Sequence, residues 1–158
     1  MSNSSEDVAN TVPLRRGHVL LVEDDEPSAI YATAALRHFG CEVSLARDGD
    51  EAVNAAMDRH FDVILMDYHL PIRSGVEATT LIRMAEAQAI GQATPIVGLT
   101  ASSCGPEREE CLKAGMDDVL FKPFFLADML QMLDRWVPVH HAGSRTFSDP
   151  PKLTGLSL

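Results

Sequence analysis

Five short apolar runs, each followed by a stretch with helical spacing, constrain this chain more than any other feature. "HVLLVE" (18–23), "CEVSLA" (41–46), "DVILMD" (62–67), "PIVGLT" (95–100) and "DVLFK" (118–122) all have strand length. After the first, Ala29, Ala32, Leu36 and Phe39 recur at three- and four-residue steps. Pro27 suits the first turn of that helix and Gly40 its end. Further helices are expected from Asp48 or Gly49 to about Asp58, from Ser74-Gly75 towards Gln88, and over 106–114 with a stop at Gly115. A last one follows Pro123, with Phe125, Met129, Met132, Leu133 and Trp136 on one face. Strands joined by helical crossovers run parallel, and right-handed crossovers leave helices on both faces of an open sheet. Strands buried on both faces need not alternate, which fits these runs. The expected fold class is α/β, a doubly wound five-stranded parallel sheet.

A length of 158 residues suits one domain with a real core. Residues 17–137 carry the pattern. Residues 1–16, "MSNSSEDVANTVPLRR", are polar and aperiodic, so a flexible lead-in is expected. Residues 138–158 have prolines and no periodicity, so a disordered tail is expected there. A formal net charge of −10 argues against non-specific binding to nucleic acid or anionic membranes. No stretch approaches the roughly 20 apolar residues of a membrane span, and the start lacks the apolar middle of a signal peptide. Cys41, Cys104 and Cys111 fit neither a CxxC motif nor a disulfide framework. The expectation is a cytoplasmic protein.

Chemistry concentrates where the strands end. Ligands of a doubly wound sheet bind in the crevice beyond the carboxyl ends of its strands. Those ends carry Glu23-Asp24-Asp25, Asp67, Thr100 and Lys122. One acid at a strand end is ordinarily a solvated boundary, but four polar ends on one edge are not so easily explained. Strands one and three are neighbours in this fold, which places Asp24 beside Asp67. Two carboxylates about 4 Å apart repel by about 4 kcal/mol at an effective dielectric of 20. A hard cation such as Mg²⁺ would offset that, with Lys122 contributing. The same set suits phosphoryl transfer to a carboxylate.

"VLLVEDDE", "DVILMDYHLPIRSGVEATTLIR", "TPIVGLTA" and "CLKAGMDDVLFKPF" resemble the receiver domain of two-component response regulators. The resemblance covers about residues 18–136, in order and with compatible spacing. It implies the (βα)5 flavodoxin-like receiver fold, with Asp67 as phosphoacceptor, Thr100 as switch hydroxyl and Lys122 as phosphate-binding lysine. It also implies Mg²⁺ bound by Asp24 and Asp67, by the backbone carbonyl of His69, and by Glu23 through water. Pro123 would follow a cis peptide bond. The implied partner is a histidine kinase or histidine-phosphotransfer protein, and the implied role is a signalling phosphoacceptor that catalyses only its own phosphorylation and dephosphorylation.

Two departures stand out. Val119 occupies the position where the family usually has an aromatic ring that turns inward with the threonine. "RMAEAQAIGQATP" is longer than in many free-standing regulators and is similar to receivers attached to hybrid histidine kinases. The pattern therefore suggests a phosphate shuttle whose partner docks on helix one, around Pro27–Ala34, with no DNA-binding or catalytic output domain of its own. A Mg²⁺-dependent small-molecule phosphatase is the alternative. It would need a second acid two positions after the nucleophile, where this chain has His69.

Overall fold

Parallel pairing decides the architecture. The computed structural model describes residues 16–139. In it β1 (Gly17–Val22) lies between β2 (Cys41–Ala46) and β3 (Val63–Asp67). β4 (Ile96–Thr100) and β5 (Asp118–Phe121) follow, giving the order β2-β1-β3-β4-β5 with every pair parallel. Five helices alternate with the strands: α1 (Glu26–His38), α2 (Gly49–Asp58), α3 (Gly75–Gln88), α4 (Glu107–Ala114) and α5 (Leu126–Trp136). The doubly wound sheet expected from the apolar runs is present, with element ends within a residue or so of their expected positions.

Each strand feeds two cores, because successive side chains leave opposite faces. Val19, Leu21, Val63, Leu65, Val97 and Leu99 pack with Ala32 and Leu36 of α1 and Met129 and Leu133 of α5. Leu20, Val22, Ile64, Met66 and Ile96 pack with Ala52 of α2, Ala78 and Ile82 of α3 and Cys111 of α4. Burial on both sides explains why the runs lack polar alternation.

Short polar residues start the helices. Asp25 accepts from the Ser28 backbone N–H at 3.0 Å, and Asp48 from that of Glu51 at 2.8 Å. Ser74 and Glu77 close a reciprocal capping box at 3.2 and 3.0 Å. Each such cap contributes about 1 kcal/mol. They also fix where each loop at the carboxyl edge gives way to helix.

Two expectations need correction. Phe125 does not join the buried face of α5. It precedes the helix, 68% exposed, with its backbone N–H donated to Asp128. The apolar spacing was real from Met129 onward, but its first member lies in the turn. Arg16 belongs to the folded body rather than to a flexible lead-in. It is buried, its guanidinium meets Asp134 of α5 at 2.8 Å, and its N–H donates to Gly40. The rest of both flanking segments, 1–15 and 140–158, lies outside the described residues. Among the described residues, no helix is long and apolar enough to cross a membrane.

Candidate phosphoacceptor site

Register brings the strand ends to one edge: Val22 pairs with Met66, Asp67 with Leu99, and Thr100 with Phe121. Glu23 and Asp24 therefore follow β1 directly beside Asp67, the last residue of β3. One carboxylate oxygen from each of Glu23, Asp24 and Asp67 lies within 4.8 Å of the others. Asp24 is exposed, whereas Glu23 and Asp67 are buried. Lys122, one residue past β5, reaches across and donates to Glu23 Oε2 at 2.6 Å and Asp67 Oδ2 at 3.3 Å. Its peptide bond to Pro123 is cis.

Three carboxylates and one ammonium leave the cluster short of positive charge. Burial raises the Asp67 carboxyl to about 7, and the Glu23 carboxylate beside it pushes the same way. Lys122 opposes the shift without cancelling it. For Lys122 burial works against the charge, but the bond to Glu23 and the charges of Asp67 and Glu23 outweigh it, and its pKa is raised. Like charges this close cannot all ionise without a further cation. An all-oxygen donor set with one exposed edge fits a hard divalent ion. Both Glu23 oxygens are already engaged, one by Lys122 and the other by the Asp25 N–H at 3.2 Å. That leaves Asp24 and Asp67 as the freer direct ligands.

Behind Asp67, Gly75 lets α3 approach closely. A Cβ at that position would stand 2.0 Å from the Asp67 carbonyl oxygen. The Gly75 N–H donates to Tyr68 at 3.1 Å, closing the loop over Asp67.

Thr100 stands at the same edge, buried at the end of β4, but its hydroxyl is not turned to the acids. It donates to Glu107 Oε2 at the start of α4. The other Glu107 oxygen lies 3.1 Å from His69 Nε2. One residue earlier, the Tyr68 hydroxyl donates to Glu110, and that carboxylate pushes the phenol up to about 12. The first turn of α4 is thus tied twice to the loop after Asp67. Reading the sequence missed Glu107 and Glu110, because "PEREEC" looks like a solvated, charged helix start. The one available signal was position: α4 begins seven residues after Thr100, in the loop that must cross this edge.

Val119 packs with the α2–α4 core and Leu120 with the α1–α5 core, so Phe121 shares the side of Val119. An open groove of about 560 Å³ lies beside Lys122, walled by Pro27 and Tyr31 of α1 and by Pro123 and Phe125. A second, of about 570 Å³, continues along Ala34, His38 and Leu126, sharing Tyr31 and Phe125 with the first.

Known proteins carry the same frame. The model of the response regulator receiver domain matches residues 19–134. The receiver domain of sensor histidine kinase PA1611 from Pseudomonas aeruginosa, crystallised with a magnesium ion coordinated in its active site cleft, is 43% identical with a TM-score of 0.70. That match covers 76% of this chain and 96% of the other. The receiver domain of Saccharomyces cerevisiae Ssk1, crystallised with the histidine phosphotransfer protein Ypd1, is 31% identical with a TM-score of 0.73, covering 78% of this chain and 90% of that one. Transcription factor SKN7 of the same yeast is 36% identical over 81% of this chain, and hybrid signal transduction histidine kinase G of Dictyostelium discoideum 39% over 77%. The chain spans only 20% and 4% of those two relatives' lengths. A family match across the whole sheet, over a site of this geometry, makes the chain a member of the response regulator receiver domain family.

Proposed function

We propose that Asp67 accepts a phosphoryl group from a phosphohistidine on a histidine kinase or histidine-phosphotransfer protein. The observation that carries this reading is the Glu23–Asp24–Asp67 cluster held against Lys122 at the carboxyl edge. A carboxylate oxygen of Asp67 attacks phosphorus, the N–P bond breaks, and its electron pair returns to the imidazole. The imidazole leaves neutral because its other ring nitrogen carries the proton. Asp67 becomes an acyl phosphate, which water later hydrolyses. Lys122 moves from balancing two carboxylates to holding phosphoryl oxygens. Thr100 is the hydroxyl available for a further oxygen once it leaves Glu107.

Mg²⁺ fits the same cluster, held by Asp24, Asp67 and the His69 carbonyl, with Glu23 acting through water. When bound it would neutralise phosphoryl oxygens and keep Asp67 ionised at neutral pH. Burial and the neighbouring Glu23 favour the protonated form of Asp67, and a bound cation would favour the carboxylate that attacks phosphorus.

The partner docks on α1, where Tyr31 and Ala34 line the grooves beside Lys122. Ile30, Tyr31, Phe125 and Leu126 are exposed there. Small and flat side chains on α1 let another helix come close to the acidic edge. The role is that of a cytoplasmic signalling phosphoacceptor.

Labelling by acetyl phosphate, read by intact mass with and without Mg²⁺, tests the reading. Incorporation should require Mg²⁺ and vanish in Asp67→Asn. Undiminished incorporation in that variant would sink the assignment.

A further inference from the structure

The groove beside Lys122 is walled by aromatic and proline rings. Pro27 and Tyr31 come from α1, and Pro123, Phe124 and Phe125 from the turn before α5. Tyr31 and Phe124 stand 6.0 Å apart between ring centroids, tilted by 45°. The groove of about 560 Å³ runs on into one of about 570 Å³ along Ala34 and Leu126. A long, open, ring-lined groove suits an extended backbone better than a compact ligand. Such grooves receive polyproline II segments, which have no internal hydrogen bonds to give up and little entropy left to lose.

The chain carries a segment of that kind. "DPPKL" (149–153) contains the one pair of adjacent prolines in the sequence. It belongs to residues 140–158, outside the described residues. α5 carries the chain from Leu126, beside the groove, to Trp136, about 16 Å further on. Val137 is held there by Arg16, whose guanidinium donates to its carbonyl at 3.4 Å. From residue 139 to Pro150 the chain can span up to about 36 Å, twice the length of α5. A tether of that length keeps the segment near the groove at an effective concentration on the order of millimolar, so weak contacts suffice.

Charge selects this segment over the other flank. The whole chain carries −10, and the site beside the groove sets three carboxylates against Lys122. Residues 140–158 bring Arg145 and Lys152 against Asp149, whereas residues 1–15 bring Glu6 and Asp7 against Arg15. Lys152 directly follows the proline pair, so a backbone seated in the groove carries an ammonium towards the acidic edge.

We propose that residues 149–153 occupy the Tyr31–Phe125 groove of their own chain and so regulate access of the phosphoryl-donating protein to it. The regulation rests on the phosphoacceptor reading of Asp67; the occupancy does not. Pro150 and Pro151 pack on the rings, Leu153 takes an apolar part of the groove, and a donor protein that docks on α1 must displace them. A segment that fills the groove about four-fifths of the time raises the KM of such a donor about fivefold.

The test compares full-length wild type with Pro150→Ser/Pro151→Ser/Leu153→Ser, whose substitutions all lie outside residues 16–139. Amide NMR reads the groove directly. Signals of Tyr31, Ala34, Leu126 and Ala127 should differ between the two proteins, while those of Ala55 and Ala85, on the α2–α3 side, should coincide. Lys152→Glu should give a smaller change in the same signals. The protein donor is whichever phosphorylated histidine-phosphotransfer protein of the source organism labels wild type fastest. Its kcat/KM should rise about fivefold with the triple variant, mainly through KM, while acetyl phosphate labelling stays within about twofold. Coincident groove signals would overturn the proposal. So would differences that fade on dilution, which would put a second copy's segment in the groove. Differing signals with unchanged transfer from the protein donor would overturn the regulation. Labelling that persists in Asp67→Asn would remove the phosphoacceptor reading and the regulation with it, and the groove signals would still decide the occupancy.

Discussion

The two halves of the carboxyl edge are built differently. Glu23, Asp67 and Lys122 sit at the very ends of strands, two of them buried, and they hold one another directly. Thr100 is as buried as they are, but its partners, Glu107 and through it His69, come from a short helix and an exposed loop. α4 has eight residues and no side-chain cap at its start. The first half is a fixed charge cluster that the sheet cannot relax. The second is a set of hydrogen bonds borne by a short helix and an exposed loop. Under the proposed function, chemistry would belong to the first and the response to it to the second.

The largest expected effect lies wholly in the fixed half. Lys122→Ala strips the cation from two buried carboxylates, which should cost about 3 kcal/mol of stability in metal-free protein. It should also slow phosphoryl transfer by at least about 100-fold, with Mg²⁺ affinity largely kept. Urea unfolding, labelling kinetics and calorimetry check the three. A variant that folds as well as wild type and labels normally would erase the contrast between the halves.

Acidity gives the next effect. Asp67 is raised from 3.8 in the unfolded chain to about 7 in the fold, so the folded state binds the extra proton. Its contribution to stability is therefore fully present below about pH 4 and is lost as pH rises through about 7. Chelated protein should lose on the order of 2 kcal/mol across that window, and Asp67→Asn should flatten the slope. Mg²⁺ should stabilise wild type above pH 7 by mass action and do much less for Asp24→Ala. If melting curves in chelator show no difference in pH slope between wild type and Asp67→Asn, the cluster is not as crowded as its geometry implies.

The same division explains what could be read from the sequence. Asp67, Glu23, Asp24 and Lys122 were legible because a parallel sheet puts every strand's end on one edge, and the apolar runs show where the strands end. Thr100 was placed at that edge for the same reason. Its hydroxyl partner was not legible, since a hydrogen bond from a strand end to a helix start depends on a loop path that no periodicity encodes. Phe125 fell into the same gap: spacing said helix, but the turn after Pro123 delays α5 until Leu126. The positive φ of Ile72 was invisible as well, because nothing in "PIRSG" announces it at an isoleucine.

The smallest effect tests the helix-borne half. To reach a phosphoryl oxygen, Thr100 must give up Glu107, so the Thr100–Glu107–His69 chain opposes the phosphorylated arrangement. A partly exposed hydrogen bond to a carboxylate contributes about 1 kcal/mol, and its removal should shift the balance about fivefold. Glu107→Ala should therefore label faster with acetyl phosphate, or keep its label longer, by about that factor. Glu107→Gln, which can still accept from Thr100, should fall between the two. Glu110→Ala, which frees only Tyr68, should leave the rate near wild type, separating the hold on Thr100 from general loosening of α4. In the Thr100→Ala background the Glu107 substitution should do nothing, because the hydroxyl it restrains is gone. An additive double mutant would mean that Glu107 acts on the site by its charge alone, and the helix-borne half would then be part of the same electrostatic cluster as the strand-borne one.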